Sequence, residues 1–177
     1  PISESGEIEG LRARADLLAD IADRCSGKTA PKVSLKRWVL GRYLARICAQ
    51  ANRRLLPMTD GRFTLRLDEE VAGDGRRQQG LDLRVHDAYT GEERDVTTLS
   101  GGETFKASLA LALGVADEVQ ANAGGRRLEA LFVDEGFGTL DPESLELAMD
   151  ELDRLREGGR MVGVISHVAA LRERIRS

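Results

Sequence analysis

The sequence contains few aromatic residues and cysteines, and it has no long apolar run. Aromatics make up 4% of its 177 residues, so a hydrophobic core must be built mainly from Leu, Val, Ile and Ala. No stretch of about 18 apolar residues occurs and residues 1–10 show no signal-peptide pattern, which predicts a cytoplasmic protein with no membrane association. Cys25 and Cys48 lack metal-ligand spacing and occupy apolar helical positions, which favours buried free thiols over a disulfide.

The overall composition is that of a folded domain with a mild negative charge. Hydrophobic residues make up 41% of the sequence, which excludes wholesale disorder, and 177 residues suffice for one domain with its own core. We expect the chain to be a segment of a longer protein. The net charge of -4 argues against a uniformly basic nucleic-acid-binding surface, although it leaves room for a local basic patch.

The first predicted helix runs from Glu4 to Cys25, with apolar residues at alternating steps of three and four. This spacing is typical either of a coiled-coil seam, whose partner strand then lies outside the chain, or of the buried stripe of a globular helix. The seam consists of Ile8, Leu11, Ala15, Leu18, Ala22 and Cys25.

A second helix is predicted from a cap at Ser34 to Leu56, with Pro57 ending it. One face is apolar and is expected to face a core, whereas the other is basic and is either solvated or in contact with DNA phosphates. The apolar residues are Leu35, Val39, Leu40, Leu44, Ile47, Cys48, Ala51 and Leu55, and the basic ones are Lys36, Arg37, Arg42, Arg46, Arg53 and Arg54.

The stretch Ala22-x-x-x-x-Gly27-Lys28-Thr29 comes within one residue of a phosphate-binding P-loop. A P-loop needs a strand before it and a helix after it, but here a helix precedes and Pro31 follows at once. We therefore interpret it as a turn between helices, and the chain has no credible P-loop.

Alternating apolar residues at 63, 65 and 67 and again at 81, 83 and 85 predict an antiparallel β-hairpin joined by residues 73–80. His86, at the end of the second strand, has no other histidine nearby in sequence, which favours a structural or surface role over a ligand role.

The turn from Thr98 to Glu103 leads into a predicted helix from Thr104 to Val119, so its glycines precede a helix N-terminus. Such an end offers unpaired N–H groups and the positive pole of the helix dipole to an anion. This is a candidate phosphate site.

The run from Leu131 to Glu135 is a predicted buried strand that ends in two carboxylates, Asp134 and Glu135. A helix from Pro142 to about Glu157, a strand from Met161 to Ile165 and a helix from Val168 to Arg176 follow, which predicts a parallel βαβ unit. An anion site and an acid pair on one scaffold suggest nucleotide phosphates with Mg²⁺.

Taken in order, these motifs resemble the C-terminal lobe of an ATP-binding-cassette (ABC) ATPase head. The stretches 134–141, 164–168 and 51–58 most resemble the SbcC family, the large ATPase subunits of bacterial SbcCD exonucleases. The resemblance implies an α/β fold with a parallel βαβ core, an antiparallel hairpin and a coiled-coil root. Residues 1–25 would end the returning coiled coil, and residues 26–177 would form the lobe, without the Walker A lobe.

The same resemblance assigns roles to residues of the motifs. Asp134 would be the Walker B acid acting on Mg²⁺, Glu135 would polarise the attacking water, and His167 would sense the γ-phosphate. The signature Leu99, Ser100, Gly101, Gly102 and Glu103 would bind the γ-phosphate of a nucleotide held by a second head, and Asp141 would couple the two sites. Each also has an ordinary alternative: helix caps at Ser100 and Asp141, a solvated strand end at 134–135, and a helix-start residue at His167. Lys106 departs from the family pattern, which leads us to expect an apolar residue or a surface contact there.

The implied function is half of a DNA-repair ATPase that dimerises on ATP and Mg²⁺ and drives a nuclease. Its partners would be the N-terminal P-loop lobe, a second head, an SbcD-like nuclease expected to use Mn²⁺, and double-stranded DNA at ends or hairpins. Without the P-loop lobe, the chain alone should not hydrolyse ATP. The alternatives are a chromosome-tethering head of the structural-maintenance (SMC) type, or an interaction domain without turnover.

Overall fold

The computed structural model describes residues 2–30, 32–68, 81–122 and 128–176. Five helices and five strands lie in these ranges. The helices are α1 (Ile2–Ser26), α2 (Leu35–Met58), α3 (Gly101–Asn122), α4 (Pro142–Glu157) and α5 (Ala169–Arg176); the strands are β1 (Phe63–Leu67), β2 (Leu83–Asp87), β3 (Glu92–Asp95), β4 (Ala130–Asp134) and β5 (Met161–Ile165). Within these described ranges, none of the helices combines the length and apolar character needed to cross a membrane.

The chain divides into two compact units, and the first contains α1 and the start of α2 as far as Tyr43. The apolar seam of α1 is exposed, with Ile8, Leu11 and Leu18 at 50%, 67% and 58%. The seam is not covered within the described residues, so the coiled-coil and the buried-stripe interpretations both stay predictions. Cys25 lies on this exposed helix, so the expectation that it is buried is wrong; both cysteines are free, and Cys48 is buried.

Helix α2 begins as predicted and ends two residues later than predicted. The Ser34 hydroxyl accepts a hydrogen bond from the Arg37 N–H at 3.3 Å. The last turn continues through Pro57 to Met58, because the Thr59 hydroxyl donates to the Leu55 carbonyl at 2.7 Å and completes that turn. Only the C-terminal half of α2 faces a core: Cys48, Ala51 and Leu55 are buried, whereas Leu35, Val39 and Leu40 are exposed.

Two arginines of the predicted basic face of α2 form ion pairs with acids of neighbouring helices. Arg54 pairs with Asp117 at 2.6 Å and with Glu151 at 2.9 Å, and it is 15% exposed. Arg46 pairs with Glu118 at 2.8 Å. These pairs connect α2 to α3 and α4. Arg46 and Arg54 are therefore engaged within the chain, and the basic residues of α2 do not form one uniform DNA-contacting face.

The second unit, residues 44–68 and 82–177, contains an antiparallel sheet in the order β1-β2-β3. The predicted hairpin is confirmed, with Phe63 opposite Asp87 and Leu65 opposite Val85; its joining residues 73–80 lie outside the described residues. Strand β3 was not predicted. Its sequence Glu-Glu-Arg-Asp is polar throughout, so no alternation signals a strand.

The second sheet pairs β4 with β5 in parallel, with Asp134 opposite Ile165, and α4 connects them. The βαβ prediction is confirmed. The expectation of buried strands is wrong for one sheet face, since Phe132, Met161 and Ile165 are 69%, 66% and 56% exposed. Alternate residues such as Val133 pack against the core, because successive side chains of a strand point to opposite faces.

Helix α3 lies against the buried half of α2 and begins at Gly101, so the signature glycines form its first turn rather than preceding it. The helix reaches Asn122, and the predicted closure by residues 123–125 lies outside the described residues. Gly114 permits a close approach to α2: a Cβ there would lie 2.7 Å from the Ile47 carbonyl oxygen and 2.9 Å from the Ala51 nitrogen.

We therefore predict that Gly114→Ala destabilises the chain by about 1–3 kcal/mol, because the two backbones must separate. The sign of this stability change tests the close approach, since Ala is normally favoured over Gly inside a helix by about 1 kcal/mol. The urea-unfolding midpoint measures the effect. The matched control is Ser108→Ala at an exposed position of the same helix, which should be neutral or slightly stabilising. A stabilised Gly114→Ala protein would contradict the close approach.

Candidate active site

The predicted acid pair and the predicted histidine meet at one edge of the parallel sheet. Asp134 is the last residue of β4, Glu135 follows it, and His167 lies two residues beyond β5. Because the carboxyl ends of parallel strands share one edge, these residues come together. His167 Nε2 lies 3.0 Å from Glu135 Oε1, and the two side chains are 85% and 59% exposed. The edge is therefore open to solvent and accessible to a ligand.

Glu135 adopts a left-handed backbone conformation, with φ of 59°, and Gly136 follows with φ of 92°. The Glu135 N–H still donates to the Ile165 carbonyl at 2.8 Å, so the pairing with β5 continues while the chain turns away. Only glycine fits at 136, because a Cβ there would lie 2.4 Å from the Phe105 ring of α3. A non-glycine residue held at positive φ is strained, and such strain concentrates at functional sites.

Asp134 ends β4 on the exposed sheet face that also carries Phe132. The described ranges contain no group of three or more His, Cys, Asp or Glu side chains that could hold a metal ion. A single exposed carboxylate nevertheless suits Mg²⁺, which commonly takes one or two carboxylates and completes its shell with water and substrate phosphates. Asp134 thus fits the predicted Walker B role, which stays a prediction.

The signature forms a capping box at the start of α3. The Ser100 N–H donates to Glu103 Oε2 at 2.8 Å, and the Glu103 N–H donates to the Ser100 hydroxyl at 3.4 Å. Ser100 and Gly101 are exposed, whereas Leu99 is partly buried against the core. The cap that the ordinary alternative predicts is therefore present, at an exposed helix start of the kind that binds anions.

The signature turn packs directly against the loop that follows the acids. A Cβ on Gly102 would lie 3.1 Å from the Thr139 carbonyl oxygen, and one on Gly101 would lie 3.6 Å from the Thr139 Cβ. One turn further along, the Phe105 ring meets the buried Phe137 ring edge-to-face, with centroids 4.8 Å apart. The glycines thus have a packing role in addition to the predicted phosphate role.

Asp141 caps α4 and is connected to α3 through Ser144. The Ser144 N–H and hydroxyl donate to the two Asp141 oxygens at 2.9 and 2.7 Å, and the Lys106 ammonium donates to the Ser144 hydroxyl at 3.0 Å. The bonds from Ser144, supplemented by the nearby Lys106 charge, lower the pKa of Asp141 below its ordinary value. Lys106 therefore makes a specific contact between the signature helix and the start of α4.

Two residues close to the signature were missed by sequence reasoning. Arg62 pairs with the buried Asp87, with Arg62 Nη2 2.8 Å from Asp87 Oδ2, and Arg62 Nη1 lies 3.6 Å from Glu103 Oε1. The pairing with Arg62 lowers the pKa of Asp87. No sequence signal could have joined these residues, since each lies at least 16 positions from the next and they come from different elements.

The sequence as a whole is also similar to that of known proteins. A family model described as "SbcC/RAD50-like, Walker B motif" matches residues 70–154. The SbcC subunit of the SbcCD nuclease of Vibrio cholerae is 53% identical over 165 residues, which are 93% of this chain and 16% of that protein. The expected resemblance to the SbcC family is confirmed. The corresponding protein of Treponema pallidum is 49% identical over 158 residues, 89% of this chain and 15% of its own length.

The chain thus spans less than one fifth of the length of these SbcC relatives. Its fold resembles that of the Smc head domain with a coiled coil and joint from Pyrococcus yayanosii, with a TM-score of 0.59 at 18% identity. The match covers 91% of this chain and 28% of that one. The predicted α/β fold, with its parallel βαβ core and antiparallel hairpin, is therefore confirmed as one that resembles such head domains.

The lowered pKa of Asp141 predicts a pH-dependent stability difference between the native chain and Asp141→Asn. A carboxylate whose pKa falls on folding stabilises the fold above its unfolded pKa of about 3.9, and that contribution disappears as the pH falls through the folded value. The native chain should therefore exceed Asp141→Asn in stability at pH 7, and the difference should shrink below about pH 4.

Urea-unfolding midpoints of both proteins between pH 3 and pH 7 test this expectation. Ser144→Ala serves as the comparison, because it removes the hydroxyl donor but keeps the amide N–H, and it should shift the pKa of Asp141 part of the way back. A difference that does not change with pH would contradict the assigned contact.

Proposed function

We propose that the chain is the C-terminal half of the ATPase head of an SbcC-type protein that works with a nuclease in DNA end or hairpin processing. The observation that carries the proposal is the contact between Glu135 and His167 at the carboxyl edge of the parallel sheet, in a chain about 50% identical to SbcC proteins. We place the protein in the cytoplasm, where thiols stay reduced and DNA is accessible.

The exposed face of the parallel sheet supports a second, P-loop-bearing lobe as the missing half. Phe132, Met161 and Ile165 form an apolar strip that a complete globular head would cover. Asp134 ends the same face, so the lobe that covers this strip also comes next to the Walker B acid. The sequence 22–29 does not supply a P-loop here, because it falls at the end of α1 and in the turn after it.

In the assembled site, bound ATP with Mg²⁺ supplies the phosphoryl group that is transferred to water. Asp134 would hold the metal through its water shell, and Glu135 would accept a proton from the attacking water. His167, within hydrogen-bond distance of Glu135, would orient that carboxylate and contact the γ-phosphate. The open setting of both side chains leaves room for these partners.

A second head would supply its signature to this site, as this chain would supply Ser100 to its neighbour. The exposed Ser100 cap and the helix start at Gly101 suit a γ-phosphate, because the first N–H groups of a helix attract anions. Asp141, tied to the signature helix through Ser144 and Lys106, would relay movement between the two sites. ATP would thus act as the bridge between two heads.

The start of α2 is the proposed docking region for the nuclease, in which Mn²⁺ is expected. Leu35 lies one turn before Trp38 and Val39 on the same helix face, and the three are 54%, 60% and 37% exposed. An exposed aromatic among aliphatic neighbours is typical of a protein-binding hot spot.

A chromosome-tethering role is the weaker candidate, because the likeness to SMC heads concerns the fold, whereas about half of the sequence is identical to that of SbcC proteins.

Glu135→Gln, introduced into the complete protein with both lobes, should lower ATP turnover by about 100-fold or more while leaving ATP binding intact. The amide keeps the shape of the side chain but cannot accept the proton. Steady-state turnover and fluorescent-nucleotide binding measure the two effects. The matched control, Glu129→Gln at an exposed acid just before the same strand, should behave as native, and equal activity in both variants would overturn the assignment.

Trp38→Glu should weaken co-purification of the nuclease by about tenfold, because it places a charge in the centre of the proposed contact. ATP turnover of the head should remain. Lys36→Glu, an exposed position of the same helical turn, introduces the same acid outside the patch and should retain the nuclease. Loss of the nuclease in both variants, or in neither, would argue against this docking region.

A further inference from the structure

We infer that Arg62 is a positioning residue for the signature: its guanidinium, fixed on buried Asp87, holds Glu103 in place and through it the Ser100 cap. The four residues belong to the compact second unit and come from the turn before β1, from β2 and from the start of α3. This inference rests on the proposed contact of Ser100 with a nucleotide in a neighbouring head.

The anchor of this arrangement is Asp87, whose side chain is 1% exposed. Arg62 Nε donates to Asp87 Oδ1 at 3.1 Å and Nη2 donates to Oδ2 at 2.8 Å, while the Tyr89 N–H donates to Oδ1 at 3.0 Å. Arg94 contributes a second cation, with its Nη2 3.4 Å from Oδ2. A buried carboxylate is tolerated only with such partners, so Arg62 is bound in a defined position.

The guanidinium of Arg62 also lies over two aromatic rings. Its central carbon lies 4.5 Å from the centroid of the Phe63 ring and 5.2 Å from that of Tyr89. A planar guanidinium can stack on rings and pair with a carboxylate edge at the same time, whereas a lysine ammonium cannot reproduce both contacts. Arginine is therefore the residue that this position requires.

The third guanidinium nitrogen of Arg62, Nη1, faces the signature. Arg62 Nη1 lies 3.6 Å from Glu103 Oε1, and the other carboxylate oxygen, Oε2, accepts the Ser100 N–H at 2.8 Å. The two oxygens of Glu103 thus have different tasks: one is held by Arg62 and the other fixes the Ser100 backbone. When Arg62 is removed, the side chain of Glu103 gains freedom and the exposed serine is held less firmly.

The experiment uses the full protein with its P-loop lobe and its nuclease partner. The variants are Arg62→Gln, Arg62→Lys, Glu103→Gln and the double variant Arg62→Gln/Glu103→Gln. The control is Arg66→Gln, which removes an exposed ion pair with Glu93 at 3.0 Å on the same sheet without touching the signature. Three quantities are measured: ATP affinity of single heads, ATP-driven association of heads, and turnover.

We expect Arg62→Gln and Glu103→Gln each to weaken head association and turnover by about fivefold, as befits one partly exposed ion pair. ATP affinity of single heads should not change, because the signature acts on the nucleotide of the neighbour. The double variant should be no worse than either single one, since both break the same link. Arg62→Lys should resemble Arg62→Gln, and Arg66→Gln should resemble the native protein.

Multiplicative losses in the double variant would overturn the inference, because Arg62 would then act through the sheet rather than through Glu103. An Arg62→Gln protein equal to the Arg66→Gln control would overturn it as well. Arg62→Gln could fail to fold because Asp87 loses its partner. In that case Glu103→Gln alone tests the inference, since it leaves the Arg62–Asp87 pair intact. Absence of ATP-driven association in the native protein would instead count against the proposed function.

Discussion

The contact between the first turn of α3 and the loop after β4 is the constraint on which the arrangement of the site depends. The Phe105 ring occupies the place where residue 136 would otherwise carry a side chain, and it meets the buried Phe137 ring from one edge. Signature and acid pair thus belong to one packed assembly. A close-packed interior transmits displacements, so a shift of the first turn of α3 would be felt in the loop after β4.

Polar contacts also connect the start of α3 to neighbouring elements, in addition to the contact of the two rings. Lys106 reaches the Ser144 hydroxyl, which in turn bonds Asp141, so the start of α3 is tied to the start of α4. At the same helix start, Arg62 reaches Glu103. The signature helix is therefore held between the antiparallel sheet and the loop that carries Asp141, and an anion bound at Ser100 would act on both.

Periodicity and motif order predicted α3, α4, β4 and β5, because these depend on local patterns and on the handedness of a parallel βαβ unit. Strand β3 escaped prediction because its residues are all polar. The contact of Arg62 with Glu103 escaped it because only tertiary folding joins them. Strand burial was overestimated for Phe132, since an apolar residue does not reveal whether its covering surface lies in the same chain.

This last error is informative, because the uncovered apolar strip and Asp134 share one sheet face. Residues 130, 132 and 134 alternate onto the same side of β4, with Phe132 exposed and Asp134 at the carboxyl end. Any surface that buries Phe132 must approach Asp134 within the spacing of two strand positions, about 7 Å. Under the proposed function, burial of the strip and delivery of the phosphate-binding groups of the P-loop lobe would then be one event, and the site would become active only when that lobe binds.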